Sequence, residues 1–312
     1  MHCTNNYVYR IEHLTKSYDS KLLANDDISL NIRRGEILGL FGANGSGKTT
    51  LVKQLIGLLS PTSGHVYLEE KSISDPQCHI SRSVAYQGQN NASFGAFSFS
   101  ELMIHTGIYR GLTLNEAKVE AHKLVSYFEC SKISNRLRYQ LSGGERKLSI
   151  VLCAFMAQRP VVILDEPSND LDPFHRGQLW SYMRKLCKET GVTFVLVTHN
   201  IDEAEGLVDR VAVMKQGRLI ACSTVGDLKA LYHDDVTVNL ILKHGEEIKL
   251  PADAIHVQSN HWKFLLPKDE AFTSLNELFQ QEGHKIDDFR ISKATLTEAF
   301  SSVVGEKSVS HE

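Results

Sequence analysis

None of the six cysteines, at positions 3, 78, 130, 153, 187 and 222, stands in a C-x-x-C pair. A chain of 312 residues does not need disulfide staples. The cysteines therefore read as reduced cytosolic thiols, with Cys153 expected in the core. The 14 histidines are scattered, with no H-x3-H or H-E-x-x-H spacing. That argues against a zinc site built by the protein. The longest apolar run, Ile150 to Ala157, is far short of the roughly 18 residues that suggest a membrane span. Met1-His2-Cys3-Thr4-Asn5-Asn6 has no charged-then-apolar layout, so no secretory signal is expected. The formal net charge is -3, which implies no bulk attraction to nucleic acid or anionic lipid. Internal repeats and low-complexity tracts are also missing. What is left, 42% hydrophobic and 23% charged, reads as globular and soluble, with room for one large domain and a small one.

Against that background one stretch carries definite chemistry. Gly42-Ala43-Asn44-Gly45-Ser46-Gly47-Lys48-Thr49 fits G-x-x-x-x-G-K-[ST] at every fixed position. An apolar strand-like segment, 37–41, precedes it, and a helix-like segment, 50–59, follows. Glycines let such a loop curl so that successive backbone N–H groups point inward. The helix N-terminus adds partial positive charge. The motif assigns Lys48 to the β- and γ-phosphates of a nucleotide and the Thr49 hydroxyl to Mg²⁺. The competing reading is a glycine-rich turn that merely caps a helix.

The rest of the chain alternates strand and helix patterns. Residues 7–14 and 27–32 read as strands, 60–64 as a turn and 65–68 as a short strand. From 98 to about 129 the composition turns helical, with Leu114, Ala117, Val119, Ala121, Leu124, Val125 and Phe128 at a helical period. Residues 161–165 and 192–198 are continuous apolar runs, as interior strands of a parallel sheet require. Helical stretches near 174–189 and 201–207 lie around them. The alternation predicts a mainly parallel sheet with helices on both faces. Active groups in such folds sit at the carboxyl ends of strands, where Asp165, Glu166 and His199 fall. Near Gly226 the pattern changes to strands at 236–242, 262–266 and 289–291 around a helix at 271–281, a small separate α+β domain. Residues 305–312 are polar and read as a loose tail.

Asp165 closes an apolar strand and Glu166 follows directly. In a phosphate-loop NTPase the strand-end acid holds Mg²⁺, often through water. The next acid is placed to orient and deprotonate the attacking water. Without the phosphate loop the two would read as solvated acids at a strand end. Leu141-Ser142-Gly143-Gly144-Glu145 offers a second anion site built from backbone N–H groups, a hydroxyl and a helix terminus. Alone it would read as an ordinary N-terminal cap. It lies about twenty residues before Asp165-Glu166.

With these residues in place, the chain resembles the nucleotide-binding subunit of an ATP-binding cassette (ABC) transporter over residues 7 to about 225. Gly42 to Thr49 matches the Walker A loop, Leu141 to Glu145 the signature motif, and Val161 to Glu166 Walker B with its catalytic glutamate. Asn169 to Asp172 resembles the D-loop, His199 the switch histidine, Gln89 the Q-loop glutamine and Tyr18 the aromatic that stacks on adenine. Two positions depart from the pattern. Gly88 stands where the family often has proline, with Gln87 as a second glutamine nearby. Asp170 stands where the D-loop usually has a small residue. Tyr18 has a plainer reading too, as an aromatic packed on the sheet.

The resemblance implies an α/β P-loop NTPase cassette over 7–225. It has a mainly parallel sheet, an N-terminal antiparallel β part and a helical subdomain at about 90–158. A small C-terminal α+β domain spans 226–304. It further implies ATP and Mg²⁺ as ligands. Gly42, Asn44, Gly45, Ser46, Gly47, Lys48, Thr49, Thr50 and Tyr18 would bind the nucleotide. Thr49, Gln89 and Asp165 would serve Mg²⁺, and Glu166, His199 and Lys48 would be catalytic. Ser142, Gly143, Gly144 and Glu145 would act in trans, completing the site of a second cassette in a head-to-tail dimer, homomeric or heteromeric. ATP would close that dimer and hydrolysis would reopen it.

No nucleic-acid partner is expected. The membrane subunits are expected to be separate chains, with this one at the inner face of the cell membrane. Residues 291–300 resemble the closing pattern of bacterial drug- and antibiotic-export cassettes, as does Asp165 to Pro173, so export is the expectation. The plain alternative for 291–300 is an amphipathic helix packing Leu296, Ala299 and Phe300. A nutrient-importer ATPase, a soluble cassette acting on ribosomes or DNA, and a hydrolysis-poor regulatory partner are the other readings. The intact Glu166 argues against the last.

Overall fold

A computed structural model of the protein describes residues 6–19, 22–89, 96–232, 235–246, 248–251, 254–293 and 296–297. The chain divides into two compact units, Met1–Ser223 and Thr224–Glu312.

In the first unit, β1 (Tyr7–Asp19) and β2 (Leu22–Arg33) pair antiparallel. β3 (Ile37–Phe41) leads through the glycine loop into α1 (Lys48–Leu55). The helix ends earlier than its apolar pattern suggested, where Gly57 takes a φ of +72°. β4 (Ser63–Leu68) pairs antiparallel with β1 and with the short β5 (Lys71–Ser72), giving the sheet order β2-β1-β4-β5. Ser63 and Gly64 thus belong to a strand, not to the expected turn. After α2 (Ile80–Ser83) and β6 (Val84–Gln87) come three longer helices. These are α3 (Phe99–Tyr109), α4 (Leu114–Tyr127) and α5 (Gly143–Phe155). Each starts with an S/T-x-x-E capping box: Ser98 with Glu101, Thr113 with Glu116, and Ser142 with Glu145.

The helices bury narrower faces than the sequence period suggested. On α4, Ala117, Ala121, Leu124 and Val125 are buried, whereas Leu114 and Val119 are exposed. The i, i+4, i+7, i+8 spacing of the buried set is one stripe, and position 119 falls off it. Cys153 is only part-buried, while Cys130 and Cys187 are buried. The buried face of α5 runs through Leu148, Val151, Leu152 and Phe155, and Cys153 falls beside it.

The central sheet adds β7 (Val161–Asp165), β8 (Thr193–Val197), β9 (Arg210–Lys215) and β10 (Arg218–Thr224), in the order β10-β9-β3-β8-β7-β6. The helices α6 (Pro173–Thr190) and α7 (Ile201–Glu205) connect its later strands. β9, β3, β8, β7 and β6 run parallel. Every residue of β3, β7 and β8 is buried, which is why these strands read as unbroken apolar runs. The register aligns Leu40 with Val197 and Val197 with Asp165. Three strand ends therefore finish level. The glycine loop, Glu166 and Thr198-His199 leave the sheet at one edge. Leu38, Leu40, Ile163 and Val195 pack with Leu51, Val52 and Leu55 of α1, fixing the helix that carries Lys48.

The second unit contains α8 (Val225–Tyr232), β11 (Asp235–Leu242), β12 (Ile255–Gln258), β13 (His261–Pro267), α9 (Lys268–Glu282) and β14 (Ile286–Lys293). Its antiparallel sheet has the order β12-β13-β11-β14. Val238, Leu240, Leu242, Phe264 and Leu275 form its core. In the export-like closing segment Leu296 is buried, whereas Ala299, Phe300 and the tail 305–312 lie outside the described residues.

Candidate functional site

The glycine loop owes its shape to backbone freedom at two points. Gly45 has a φ of +79° and Gly47 a φ of +102°, conformations that side chains disfavour. At Gly47 a Cβ atom would also meet the Ala24 carbonyl oxygen at 2.2 Å. Gly47→Ala is therefore expected to displace the loop, lowering the thermal midpoint by several degrees, for roughly 1–3 kcal/mol of strain. Differential scanning calorimetry checks this, and an unchanged midpoint would contradict it.

Two side chains and one backbone N–H outside the motif hold the loop in place. Asn25 Nδ2 donates to the Gly47 carbonyl at 3.1 Å, and Gln54 Nε2 donates to Asn25 Oδ1 at 2.6 Å. Gly217 N donates to the Ser46 carbonyl at 3.0 Å. Sequence reading missed these three. In the structure Gln54 is fully buried in α1, so its amide must find a partner, a demand its place in the sequence does not reveal.

Lys48 is buried, and its ammonium donates to the carbonyls of Gly42 at 2.6 Å and Ala43 at 3.0 Å. Burial pushes its pKa down, while the Glu166 and Asp165 carboxylates pull it up. The Ser46 hydroxyl is buried and has no hydrogen-bond partner among the described residues. Thr49 and Thr50 stand in the first turn of α1, with Thr49 exposed.

At the end of β7, Asp165 is 1% exposed. Gln89 Nε2 donates to its Oδ1 at 3.4 Å, whereas Gln87 reaches only the Asp165 backbone carbonyl, at 3.5 Å. Of the two glutamines, Gln89 is thus the one at the carboxylate. Burial pushes the Asp165 carboxyl up, the neighbouring Glu166 adds to this, and Gln89, Lys48 and Lys147 oppose it. Among the described residues its Oδ2 is buried without a partner.

Glu166 is held more firmly. Its backbone takes a φ of +50°, a strained value for a non-glycine residue, and its N–H donates to the Val197 carbonyl at 2.8 Å. Oε2 accepts from the Thr198 hydroxyl at 3.1 Å, and Oε1 accepts from the His199 backbone N–H at 3.1 Å. The His199 Nδ1 atom lies 2.7 Å from Oε1. The carboxylate is buried, but the His199 ring is 61% exposed and faces open space.

Asn44, Gln89, Lys147, Glu166, Asn169, Asp170 and His199 line one cleft of about 310 Å³. The loop tip and the strand-end groups therefore meet, as the level strand ends require. Tyr18 is 54% exposed, so it is not packed into the sheet, and the Lys16 ammonium lies 5.7 Å from its ring centre. Ser142 and Glu145 are engaged with each other: Ser142 Oγ accepts from Glu145 N at 3.2 Å, and Ser142 N donates to Glu145 Oε2 at 2.7 Å. No described contact joins them to Gly42–Thr49 of the same chain.

The donors suit a triphosphate with a hard cation. Among the described residues no group of three or more His, Cys, Asp or Glu is gathered for a metal. Mg²⁺ needs no such cage; it takes one or two carboxylates and completes its shell with phosphate and water oxygens. The unpartnered Asp165 Oδ2 and the Thr49 hydroxyl fit that role, and the curled loop with its unpartnered Ser46 hydroxyl fits phosphate.

Fold and cleft together define an ABC-type ATPase cassette. A family model described as ABC transporter matches residues 25–169. The chain is 32% identical over 220 residues to the doxorubicin resistance ATP-binding protein DrrA of Mycobacterium tuberculosis, covering 70% of this chain and 66% of that one. It is 31% identical over 221 residues to the carnitine transport ATP-binding protein OpuCA of Listeria monocytogenes, covering 70% and 56%. A third relative is the human ATP-binding cassette sub-family A member 2, 33% identical over 238 residues, of whose length the chain spans only 10%. Among solved structures, the dimeric post-hydrolysis cassette MJ0796 bound to ADP and Pi superimposes with a TM-score of 0.64 at 24% identity, covering 69% of this chain and 98% of that one. The chain belongs to the ABC transporter family of ATP-binding cassettes.

Proposed function

We propose that the chain hydrolyses MgATP as the motor subunit of a transporter and drives export of an unidentified compound through separate membrane subunits, at the inner face of the membrane. The observation that carries the ATPase reading is the Glu166 carboxylate, fixed by Thr198 and His199 at the cleft that also holds Gln89 and the loop tip Asn44. Phosphoryl transfer is mostly positioning and charge stabilisation. Lys48, the loop N–H groups and the α1 N-terminus bind the phosphates. Mg²⁺, when bound near Thr49, Asp165 and Gln89, supplies charge neutralisation. Glu166 orients a water and takes its proton, and the Thr198 hydroxyl keeps Oε2 in place meanwhile. His199, exposed on the cleft side, has room to reach a terminal phosphate oxygen. Tyr18 offers an exposed ring for the base. The Ser142–Glu145 turn points to a second cassette, since its own loop does not use it.

Export is favoured by the Asp165–Pro173 pattern and by the likeness to DrrA; the likeness to OpuCA supports import instead. Among the described residues no helix is long and apolar enough to cross a membrane, consistent with separate membrane subunits. The test is purification of the complex from native membranes, followed by transport in inside-out vesicles. We expect a polytopic membrane protein to co-purify and ATP to drive compound into the vesicles. ATP-driven movement in the opposite sense would make it an importer. Salt-resistant association with ribosomes, without a membrane protein, would overturn the transporter reading.

A further inference from the structure

Lys147 is a buried cation that the mechanism above leaves without a task. It lies in the second turn of α5, the helix that begins at the Ser142 cap, and is 4% exposed. Among the described residues its ammonium makes no hydrogen bond and no ion pair. It lines the cleft with Glu166, Asn169 and Asp170, and its pKa is lowered by burial while Asp165, Asp170 and Glu166 pull it up. The side chain is largely out of water and its ammonium opens on the cleft beside Asp165, Asp170 and Glu166. Such a charge is costly to hold, and a fold keeps one where nearby negative charge or function offsets the cost.

A second observation concerns the same helix. Gly144 lies three residues earlier, on the same side, and a Cβ there would meet the Asp170 carbonyl oxygen at 2.6 Å. The first turn of α5 is thus in tight contact with the segment just after Glu166. Asp170 itself takes a φ of +66° there.

We infer that Lys147 is a positioning residue that ties the signature helix to the catalytic carboxylates of its own subunit. The Ser142 end of α5 faces outward to a second cassette, and Lys147 and Gly144 face inward to Glu166 and Asp170. A small shift of α5 when Ser142 engages the neighbour's nucleotide therefore moves charge and backbone beside Glu166. The helix couples one nucleotide site to the next. The inference rests on the proposed ATPase reading and names a residue outside the motifs that carry it.

The test uses steady-state hydrolysis and binding of a fluorescent ATP analogue by the full chain. For Lys147→Met we expect nucleotide affinity within about twofold of the parent and kcat about tenfold lower. Lys147→Arg, which keeps the charge, should restore at least half of kcat. Ser142→Ala combined with Lys147→Met should cost less than the product of the single effects, because the two act along one helix. Gly144→Ala probes the same link through the backbone, where its Cβ would meet the Asp170 carbonyl oxygen, and should also lower kcat. Full kcat in Lys147→Met, an arginine variant as slow as the methionine one, or strictly multiplicative effects with Ser142→Ala would each overturn the coupling. Parental turnover equal to that of Glu166→Gln would overturn the ATPase reading itself. A normal gap between those two, with Lys147 indifferent, would remove only this inference.

Discussion

A Glu166→Gln chain is expected to bind MgATP as the parent does and to hydrolyse it about 10²–10⁴ times more slowly. The substitution keeps the shape of the side chain. An amide oxygen at Oε1 can still accept from the His199 N–H, and the Thr198 hydroxyl can turn to receive an amide hydrogen. What disappears is the proton acceptor. The barrier rises because water must then attack without a base, while the groups that hold the phosphates are untouched. Phosphate release and equilibrium nucleotide binding, measured on the same preparation, separate the two effects. Where a second cassette is present, the variant should also accumulate the ATP-bound closed form, visible as a larger species by analytical ultracentrifugation. Turnover equal to the parent would remove Glu166 from the chemistry. Equal losses of binding and turnover would mean that the change had deformed the cleft instead.

The second large effect is expected at Lys48. Lys48→Ala should lower kcat/KM for ATP by about 10²–10³, the usual consequence of deleting one preorganised charge aimed at a reacting group. Its stability signature should be different from that of a core substitution. The ammonium is buried against the carbonyls of Gly42 and Ala43, so burial already opposes its charge. Removing it costs the nucleotide-free fold little. The parent, by contrast, should gain about 2.7 kcal/mol at an ATP concentration 100 times the Kd, and that gain should be largely lost in the variant. Thermal melts with and without MgATP read this difference. A variant that ATP stabilises as strongly as the parent would count against Lys48 as a phosphate ligand.

These two predictions rest on different kinds of information. The loop Gly42–Thr49 was legible because its demands are local. Positive φ needs glycine, phosphate needs N–H groups, and both are satisfied by neighbours in the chain. The strands were legible because β3, β7 and β8 are buried on both faces, and so carry no polar residue except at or beside their ends. The three S/T-x-x-E boxes mark helix starts by the same local logic. Less was visible in α4, where a helical period also included Leu114 and Val119, which the neighbouring helices never cover.

The site divides in the same way. Amino-acid order placed Asp165 next to Glu166 and Thr198 next to His199, and put each pair at the end of an apolar run. It could not say that the two runs lie side by side with Asp165 opposite Val197, which is what delivers Thr198 and His199 to the Glu166 carboxylate. The resemblance pointed to Gln89 with Gln87 two residues away, and the contacts with Asp165 put Gln89 at the carboxylate and Gln87 at the backbone carbonyl. Asn25, Gln54 and Lys147 gave almost no signal, since a polar residue in a strand or helix reads the same whether it meets solvent or a buried partner. Short-range steric and hydrogen-bonding rules act over a few residues and are written in the chain. Strand register and the pairing of buried polar groups arise from contacts between segments about 30 to more than 150 residues apart, and these exist once the sheet has closed.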